Sequence, residues 1–325
     1  MQGVKQKALE LLTGGKADRV LGWRRGETFY DPTPGVFASA EEVERDFVFD
    51  AFCGANLSKY LIALDRAEGV TAVFLKPCDS YSLVQLIKEH RIHREKVYIV
   101  GVACEGMCGY DALMKAGIEG VLSFEEEGDA LKVHTLYGDT VIARKDALLS
   151  KCEHCKSKRI VTYDELLGEQ GDVVADSGRF DEVARLEKMT PEDRFAFWQN
   201  ELSRCIRCNA CRNVCPACSC EKCVFDNPDS GIRNKAAADS FEENMFHIIR
   251  AFHVASRCTD CGECTRVCPQ RIPLHLLNRK FIKDINELYG EYQAGADFDT
   301  RPALLNFQTG DCEPSIVHVR GGERA

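Results

Sequence analysis

Two runs of cysteine with the same spacing carry the strongest chemical information in this sequence. The first run is Cys205-x2-Cys208-x2-Cys211-x3-Cys215-Pro216, and the second is Cys258-x2-Cys261-x2-Cys264-x3-Cys268-Pro269. In bacterial ferredoxins, a run of this kind gives three thiolates to one iron–sulfur cluster and its fourth thiolate to the neighbouring cluster. We therefore predict two 4Fe-4S clusters, one bound by Cys205, Cys208, Cys211 and Cys268 and the other by Cys258, Cys261, Cys264 and Cys215.

Zinc is the main alternative for a chain so rich in cysteine. A structural zinc site takes four ligands, which usually come from two separated pairs. Runs of four cysteines that end at Pro216 or Pro269 do not follow that pattern. The spacing therefore favours iron–sulfur clusters.

Four further cysteines form a candidate third site. Cys78 follows the apolar run 70–75, Cys104 follows the apolar run 97–102, and a helical pattern comes after each of them. Strands that alternate with helices form a parallel sheet, and ligands gather outside the carboxyl ends of its strands. Cys152 and Cys155 form a C-x2-C pair. We predict that Cys78, Cys104, Cys152 and Cys155 together bind a third 4Fe-4S cluster.

Other interpretations of the third site stay open. One interpretation is that the four cysteines are two incidental or structural pairs. Another is a zinc site, because His154 lies inside the C-x2-C pair. Cys108 is an alternative to Cys104, and Cys53 is a candidate for the same neighbourhood. The two-cluster count also leaves Cys218, Cys220 and Cys223 without a role: they form another metal site or shield the first cluster, while Cys312 alone indicates little.

The periodicity predicts an α/β region followed by a helical one. Short strands are expected at 20–23 and 47–49, a β-rich segment at 119–136, a strand-like run at 160–163 and a linker over 168–181. Thr190 and Pro191 indicate the start of a helix, and two more helices are expected over 241–256 and from Pro273 to Gly290. The predicted fold is an α/β N-terminal domain with a mainly parallel sheet (1–185), an α-helical ferredoxin-like domain with two 4Fe-4S clusters (186–292) and a C-terminal tail (293–325).

Composition and charge exclude several classes of protein. The chain has 325 residues, 18 cysteines and a net charge of −9, without the basic, aromatic-studded stripe of a nucleic-acid binder. Its N-terminus lacks the apolar region of a signal peptide, and no apolar run approaches the length of a membrane span. We expect a cytoplasmic protein whose cysteines are metal ligands. No Ser-His-Asp, paired-carboxylate or Walker arrangement supports hydrolytic or phosphoryl chemistry.

At this point the motifs identify a family resemblance over roughly residues 40–290. The chain resembles iron–sulfur proteins related to the beta subunit of deazaflavin-reducing hydrogenases and dehydrogenases, of the type associated with heterodisulfide-reductase-like complexes. The segments that carry the likeness are Lys76-Pro-Cys-Asp-Ser80, Gly101-Val-Ala-Cys104, Cys152-x2-Cys155 with Tyr163-Asp-Glu-Leu-Leu-Gly168, Phe197-Trp198, Cys205 to Pro216, Phe252-His253, Arg257 to Cys264 and Ile272-Pro-Leu274.

The resemblance implies an electron-transfer subunit of an anaerobic, multi-subunit oxidoreductase. The expected partners are other redox subunits, such as flavoprotein, heterodisulfide-reductase-like, hydrogenase or formate dehydrogenase subunits, in assemblies that are sometimes electron-bifurcating. The alternative is a subunit that binds FAD and itself oxidises or reduces a nicotinamide or deazaflavin, although no G-x-G-x-x-G supports it. A third hypothesis is a structural metal-binding module.

Overall fold

The computed structural model describes residues 2–226, 240–302 and 304. Its strands are β1 (Arg19–Arg24), β2 (Thr33–Phe37), β3 (Phe47–Val48), β4 (Thr71–Leu75), β5 (Val97–Val102), β6 (Val121–Glu127), β7 (Ala130–Thr135), β8 (Gly138–Ala143) and β9 (Glu165–Leu167). Its helices are α1 (Gln2–Thr13), α2 (Ala40–Asp46), α3 (Leu61–Leu64), α4 (Pro77–Lys88), α5 (Tyr110–Lys115), α6 (Ser150–Glu153), α7 (Asp181–Glu187), α8 (Pro191–Ser203), α9 (Ala210–Asn213), α10 (Ser240–His253), α11 (Glu263–Arg266) and α12 (Leu274–Tyr289).

The N-terminal region is built on a mostly parallel sheet, as the sequence predicts. The strand order is β2-β1-β4-β5-β9, and β3 also pairs with β1. The pairs β1–β4, β4–β5 and β5–β9 are parallel, whereas β2 and β3 run antiparallel to β1. All five residues of β4 are buried, which is why this strand reads as a continuous apolar run rather than an alternating one.

The strand-like run at 160–163 is not a strand, and β9 begins two residues later. Ile160 is buried and lies against Gly101 of β5, where a Cβ atom would be only 3.0 Å from the Ile160 side chain. Asp164 then accepts the backbone N–H of Ile99 through its carboxylate at 2.7 Å. The buried Ile160 therefore packs beside the sheet. The hydrogen bond from Ile99 to Asp164 positions the chain just before β9 pairs with β5.

The β-rich segment is an antiparallel three-stranded sheet, β6-β7-β8. It covers a separate small core that contains Phe52, Cys108, Leu113, Leu131 and Val133. This sheet extends further than the predicted 119–136, because β8 continues to Ala143.

The C-terminal region is helical, again as predicted. Thr190 caps α8, since its hydroxyl accepts the Asp193 N–H at 3.1 Å, and Pro191 occupies the first turn. Helices α8 and α12 both pack on α10, and the short α9 and α11 lie within the two cysteine runs. In the described part of the chain, no helix is both long and apolar enough to cross a bilayer.

Helix α4 provides a test of how much its buried side chains contribute to the stability of the α/β region. Leu83 on α4 is fully buried, so Leu83→Ala removes apolar contacts and leaves a cavity. We expect a destabilisation of about 2–5 kcal/mol, measured as a lower urea midpoint by circular dichroism under anaerobic conditions. Leu122→Ala is the matched control, because Leu122 is 60% exposed. Equal midpoints for the two variants would contradict the packing described here.

Candidate metal centres

The four cysteines of the predicted third site line one small cavity at the carboxyl edge of the parallel sheet. Cys78 lies in the first turn of α4, directly after β4, and Cys104 follows the end of β5. Cys152 is carried by α6, and Cys155 lies just past its end. Pro77 starts α4, and a helix N-terminus favours the negative charge of a thiolate. The structure therefore brings together Cys78, Cys104, Cys152 and Cys155.

Backbone N–H groups point at two of these sulfurs. Gly106 donates to the Sγ of Cys104 and Met107 donates to the Sγ of Cys152, both at 3.4 Å. Gly106 has φ of +113°, and a Cβ atom there would lie 2.7 Å from the Leu148 side chain. Only glycine fits this left-handed, crowded position. The loop after Cys104 therefore donates backbone hydrogen bonds to the sulfurs of the site. The sequence analysis did not predict this role for Gly106 and Met107.

Lysines surround the same cavity and offset the charge that bound thiolates would bring. Lys76, Lys151, Lys156 and Lys158 all line it. Burial, and then the Asp79 carboxylate, raises the pKa of the Cys78 thiol well above its usual range, and burial likewise raises the pKa of Cys104. The raised pKa values favour the neutral thiols of Cys78 and Cys104 in the absence of metal, and a bound cluster would deprotonate them. Sulfur donors with nearby cations fit an anionic iron–sulfur cluster.

Cys108 and Cys53, the alternatives for this site, lie near the cavity but do not line it. Cys108 is buried in the core beneath the three-stranded sheet, and its N–H donates to the Ala51 carbonyl at 2.7 Å. Cys53 is buried in the main core, where its thiol donates to the Asp50 carboxylate at 3.6 Å. Neither is among the described residues that line the cavity.

The fourth cysteine of each ferredoxin-type run lies near the first three cysteines of the other run. A second cavity is lined by Cys205, Cys208 and Cys211 of the first run and by Cys268 of the second. Conversely, Cys215 of the first run is an electrostatic neighbour of the second run's first three cysteines. Burial first, and Cys215 among the smaller causes, raises the pKa of all three, that of Cys264 to about 12. These are the groupings that the spacing predicts.

The sequence repeat is also a backbone repeat. Arg207 and Asn209 in the first run have φ of +57° and +61°, and the equivalent Asp260 and Gly262 in the second have φ of +55° and +69°. Residues with positive φ turn the chain sharply and aim successive N–H groups to one side. Both runs therefore form the same loop before α9 and α11.

Buried polar contacts join the second run to the cavity of Cys78, Cys104, Cys152 and Cys155. Lys151 on α6 forms an ion pair with Glu263 on α11, and their side chains are 5% and 2% exposed. The Lys156 ammonium donates to the Thr259 carbonyl, and Asp260 lines the cavity. The Ser82 and Thr259 hydroxyls lie 2.9 Å apart. The second cysteine run therefore borders this cavity directly through Asp260.

The three cysteines without an assigned role also come together. Cys218, Cys220 and Cys223 line a further cavity with basic side chains that include Lys59, Arg212 and Arg257. Cys218 lies beside Cys215 and hydrogen bonds with it, which lowers the pKa of Cys218. Both earlier interpretations, another metal site and a shield, stay open. Cys312 lies outside the described residues.

The described cysteines are all free thiols. Within residues 2–226, 240–302 and 304, no three His, Cys, Asp or Glu side chains are arranged to hold a single metal ion. The four thiolates of a zinc site bind one ion at about 2.3 Å and stand close together. Those of a 4Fe-4S cluster each bind a different iron atom and stand further apart.

Comparison with known proteins gives independent information on this arrangement. A family model described as a 4Fe-4S dicluster domain matches residues 201–272. The F420-dependent formate dehydrogenase subunit beta of Methanocaldococcus jannaschii is 23% identical over an alignment that covers 90% of each chain. The F420-dependent formate dehydrogenase 1 subunit beta of Methanococcus maripaludis is 24% identical, and the alignment again covers 90% of each chain. A solved chain from the F420-reducing NiFe hydrogenase complex of Methanosarcina barkeri is 14% identical, with a TM-score of 0.39, and the match covers 62% of this chain and 86% of that one.

These relatives confirm the resemblance drawn from the motifs. The homologues that align with nine tenths of the chain are beta subunits of deazaflavin-linked formate dehydrogenases. The chain has the expected α/β region with a mostly parallel sheet and a helical region that carries a 4Fe-4S dicluster domain. It is an iron–sulfur protein with an electron-transfer role.

The Lys151–Glu263 pair yields a stability prediction. Glu263→Gln leaves the Lys151 ammonium buried without its counter-charge, which we expect to cost about 3–5 kcal/mol. Lys151→Met should cost less, because Glu263 retains two bonds of 2.9 Å from Arg266. The measurement is the urea midpoint of each variant.

The control for this prediction is an exposed ion pair. Glu182→Gln breaks the pair with Arg185, in which both side chains are about half exposed, so we expect a loss below about 1 kcal/mol. A loss for Glu263→Gln no larger than for Glu182→Gln would show that the buried pair does not join the two regions.

Proposed function

We propose that this chain relays electrons between the partner subunits of a multi-subunit oxidoreductase through three 4Fe-4S clusters. The observation that carries the proposal is the close succession of the three cysteine sets. Asp260, which lies between two cysteines of the second run, also lines the cavity of Cys78, Cys104, Cys152 and Cys155. Cys211 of the first run in turn has Cys264 of the second as an electrostatic neighbour. The three sets therefore form one continuous series.

The proposed ligands follow from the cavities and the charges around them. Cys205, Cys208, Cys211 and Cys268 bind the first cluster, and Cys215, Cys258, Cys261 and Cys264 bind the second. Cys78, Cys104, Cys152 and Cys155 bind the third. Nearby cations support the assignments, because a cluster held by four thiolates is anionic and needs nearby positive charge.

The proposed clusters are divided between the two domains predicted from the sequence. Residues 1–185 form the α/β domain with the third cluster, residues 186–292 form the domain with the two ferredoxin-type clusters, and residues 293–325 form a tail. The third cluster then lies at the interface of the two domains, where Lys151 and Lys156 contact the second run. Electrons that enter at one domain can leave at the other.

The relatives suggest the kind of enzyme that this chain serves. Because the homologues are formate dehydrogenase beta subunits, we propose a formate dehydrogenase or a related dehydrogenase as the host complex, with at least one redox partner subunit. A heterodisulfide-reductase-like partner, electron bifurcation and a cytoplasmic location stay predictions. Co-purification of the chain from an anaerobic host, followed by mass spectrometry of its partners, tests the partner prediction.

A flavin-binding subunit is the second candidate function. The relatives are named as F420-dependent, which favours exchange of reducing equivalents with a deazaflavin by this chain or by its partner. Denaturing the purified chain would release a bound flavin, whose absorbance and fluorescence are measured directly. A stoichiometric amount of flavin would support the flavin-binding function over the electron relay.

Cys215→Ser tests the exchange of ligands between the runs. If Cys215 serves the second cluster, this change should alter the electron paramagnetic resonance signal of that cluster and leave the first cluster nearly intact. Cys208→Ser is the matched variant, because Cys208 lies in the same run but lines the other cavity, and it should alter only the first cluster. The same spectral change in both variants would show that each run closes on itself.

Cys152→Ser combined with Cys155→Ser tests the third cluster. The full chain, purified anaerobically, should hold about twelve irons and the double variant about eight, since each cluster contains four. Cys108→Ser is the control and should retain the full iron content, because Cys108 belongs to the small core and does not line the cavity. A wild-type chain with about eight irons, unchanged in the double variant, would restrict the proposal to the two ferredoxin-type clusters.

A further inference from the structure

Helix α10 presents two buried polar side chains to the cysteine runs. His247 and Arg250 are each 1% exposed, and their spacing of three residues puts them on one face of the helix. The residues Phe252 and His253 on the same helix are exposed. A buried arginine needs a counter-charge, and the N–H of a buried neutral histidine needs an acceptor, because unpaired buried charges and polar groups are unfavourable.

Arg250 is an electrostatic neighbour of both ferredoxin-type cysteine sets, and it also lines the cavity of Cys218, Cys220 and Cys223. Its strongest electrostatic neighbours are the sulfurs of Cys264, Cys211, Cys215 and Cys218, so it borders the first set through Cys211 and the second through Cys264 and Cys215. All three of its guanidinium nitrogens lack a hydrogen-bond partner among the described residues. A guanidinium carries its charge at every physiological pH.

His247 belongs to the first set only. It lines the cavity that holds Cys205, Cys208, Cys211 and Cys268. Neither ring nitrogen has a hydrogen-bond partner among the residues that the structure describes. An imidazole always has at least one N–H donor, and here that donor is enclosed beside four thiols.

From this geometry we propose that Arg250 and His247 are positioning residues that set the potentials of the ferredoxin-type clusters, Arg250 for both clusters and His247 for the first. This inference rests on the proposed function, since it requires both clusters to be bound. Reduction by one electron adds one negative charge to a cavity. A buried cation lowers the cost of that charge, because little solvent screens it, and N–H donors to sulfur act in the same direction.

The placement of Arg250 has a particular consequence for a relay. A single cation shared by two cysteine sets stabilises an added electron on either side and raises both potentials together. His247 acts on one side only and therefore adjusts the difference between the two potentials. Arg250 thus raises both reduction potentials, and His247 sets which of the two clusters is reduced more easily.

A redox titration of the full chain tests the inference. The clusters are reduced stepwise with dithionite and followed by electron paramagnetic resonance, and the first cluster is identified as the one that Cys208→Ser alters. Arg250→Gln should lower both midpoint potentials, each by at least a tenfold change in the reduction equilibrium, which is about 59 mV for one electron. Arg250→Lys keeps the charge and should shift them less. His247→Phe should lower the potential of the first cluster alone.

His253→Phe is the matched control, because this exposed histidine lies on the same helix. It should leave both potentials unchanged. Variants at Arg250 and His247 that bind both clusters with wild-type potentials would overturn the inference and leave the proposed function standing. A wild-type chain without bound iron and sulfide would overturn the proposed function, and the inference with it.

Discussion

The buried ion pair between Lys151 and Glu263 is the contact on which the arrangement of the metal sites depends. Lys151 adjoins Cys152 at the edge of the parallel sheet, and Glu263 adjoins Cys264 in the second cysteine run. A buried pair of this kind is stable only when both partners stay in place. It therefore fixes the distance between a cavity built by the α/β region and a cluster site built by the helical region. The proposed relay requires that fixed distance.

The two cysteine runs are equal in spacing but differ in what they contact. Gly262 in the second run and Asn209 in the first both have positive φ. At Gly262 a Cβ atom would lie 2.4 Å from the Cβ of Lys151, so a side chain there would separate α6 from the run. The glycine therefore marks the run that packs on the α/β region.

Charge compensation follows the same plan at every site. Lysines line the cavity at the edge of the sheet, and Arg250 has sulfurs of both sets of the helical region as electrostatic neighbours. The chain as a whole is acidic, with a net charge of −9. The cations near the sulfurs are thus concentrated where anionic clusters are proposed to bind. Their positions decide how easily each cluster would accept an electron.

The sequence by itself determined the mostly parallel sheet and the helical region and predicted the cysteine groupings of the two runs, because these depend on local spacing and periodicity. It also placed Cys78 and Cys104 after neighbouring strands, since the carboxyl ends of parallel strands share one edge. The tertiary structure decided that Cys152 joins them and that Cys108 does not, because that depends on how α6 packs against the loop at Gly106. It also decided that Arg250 and His247 face the cysteines, since the side of a helix that is buried is set by the elements that pack on it.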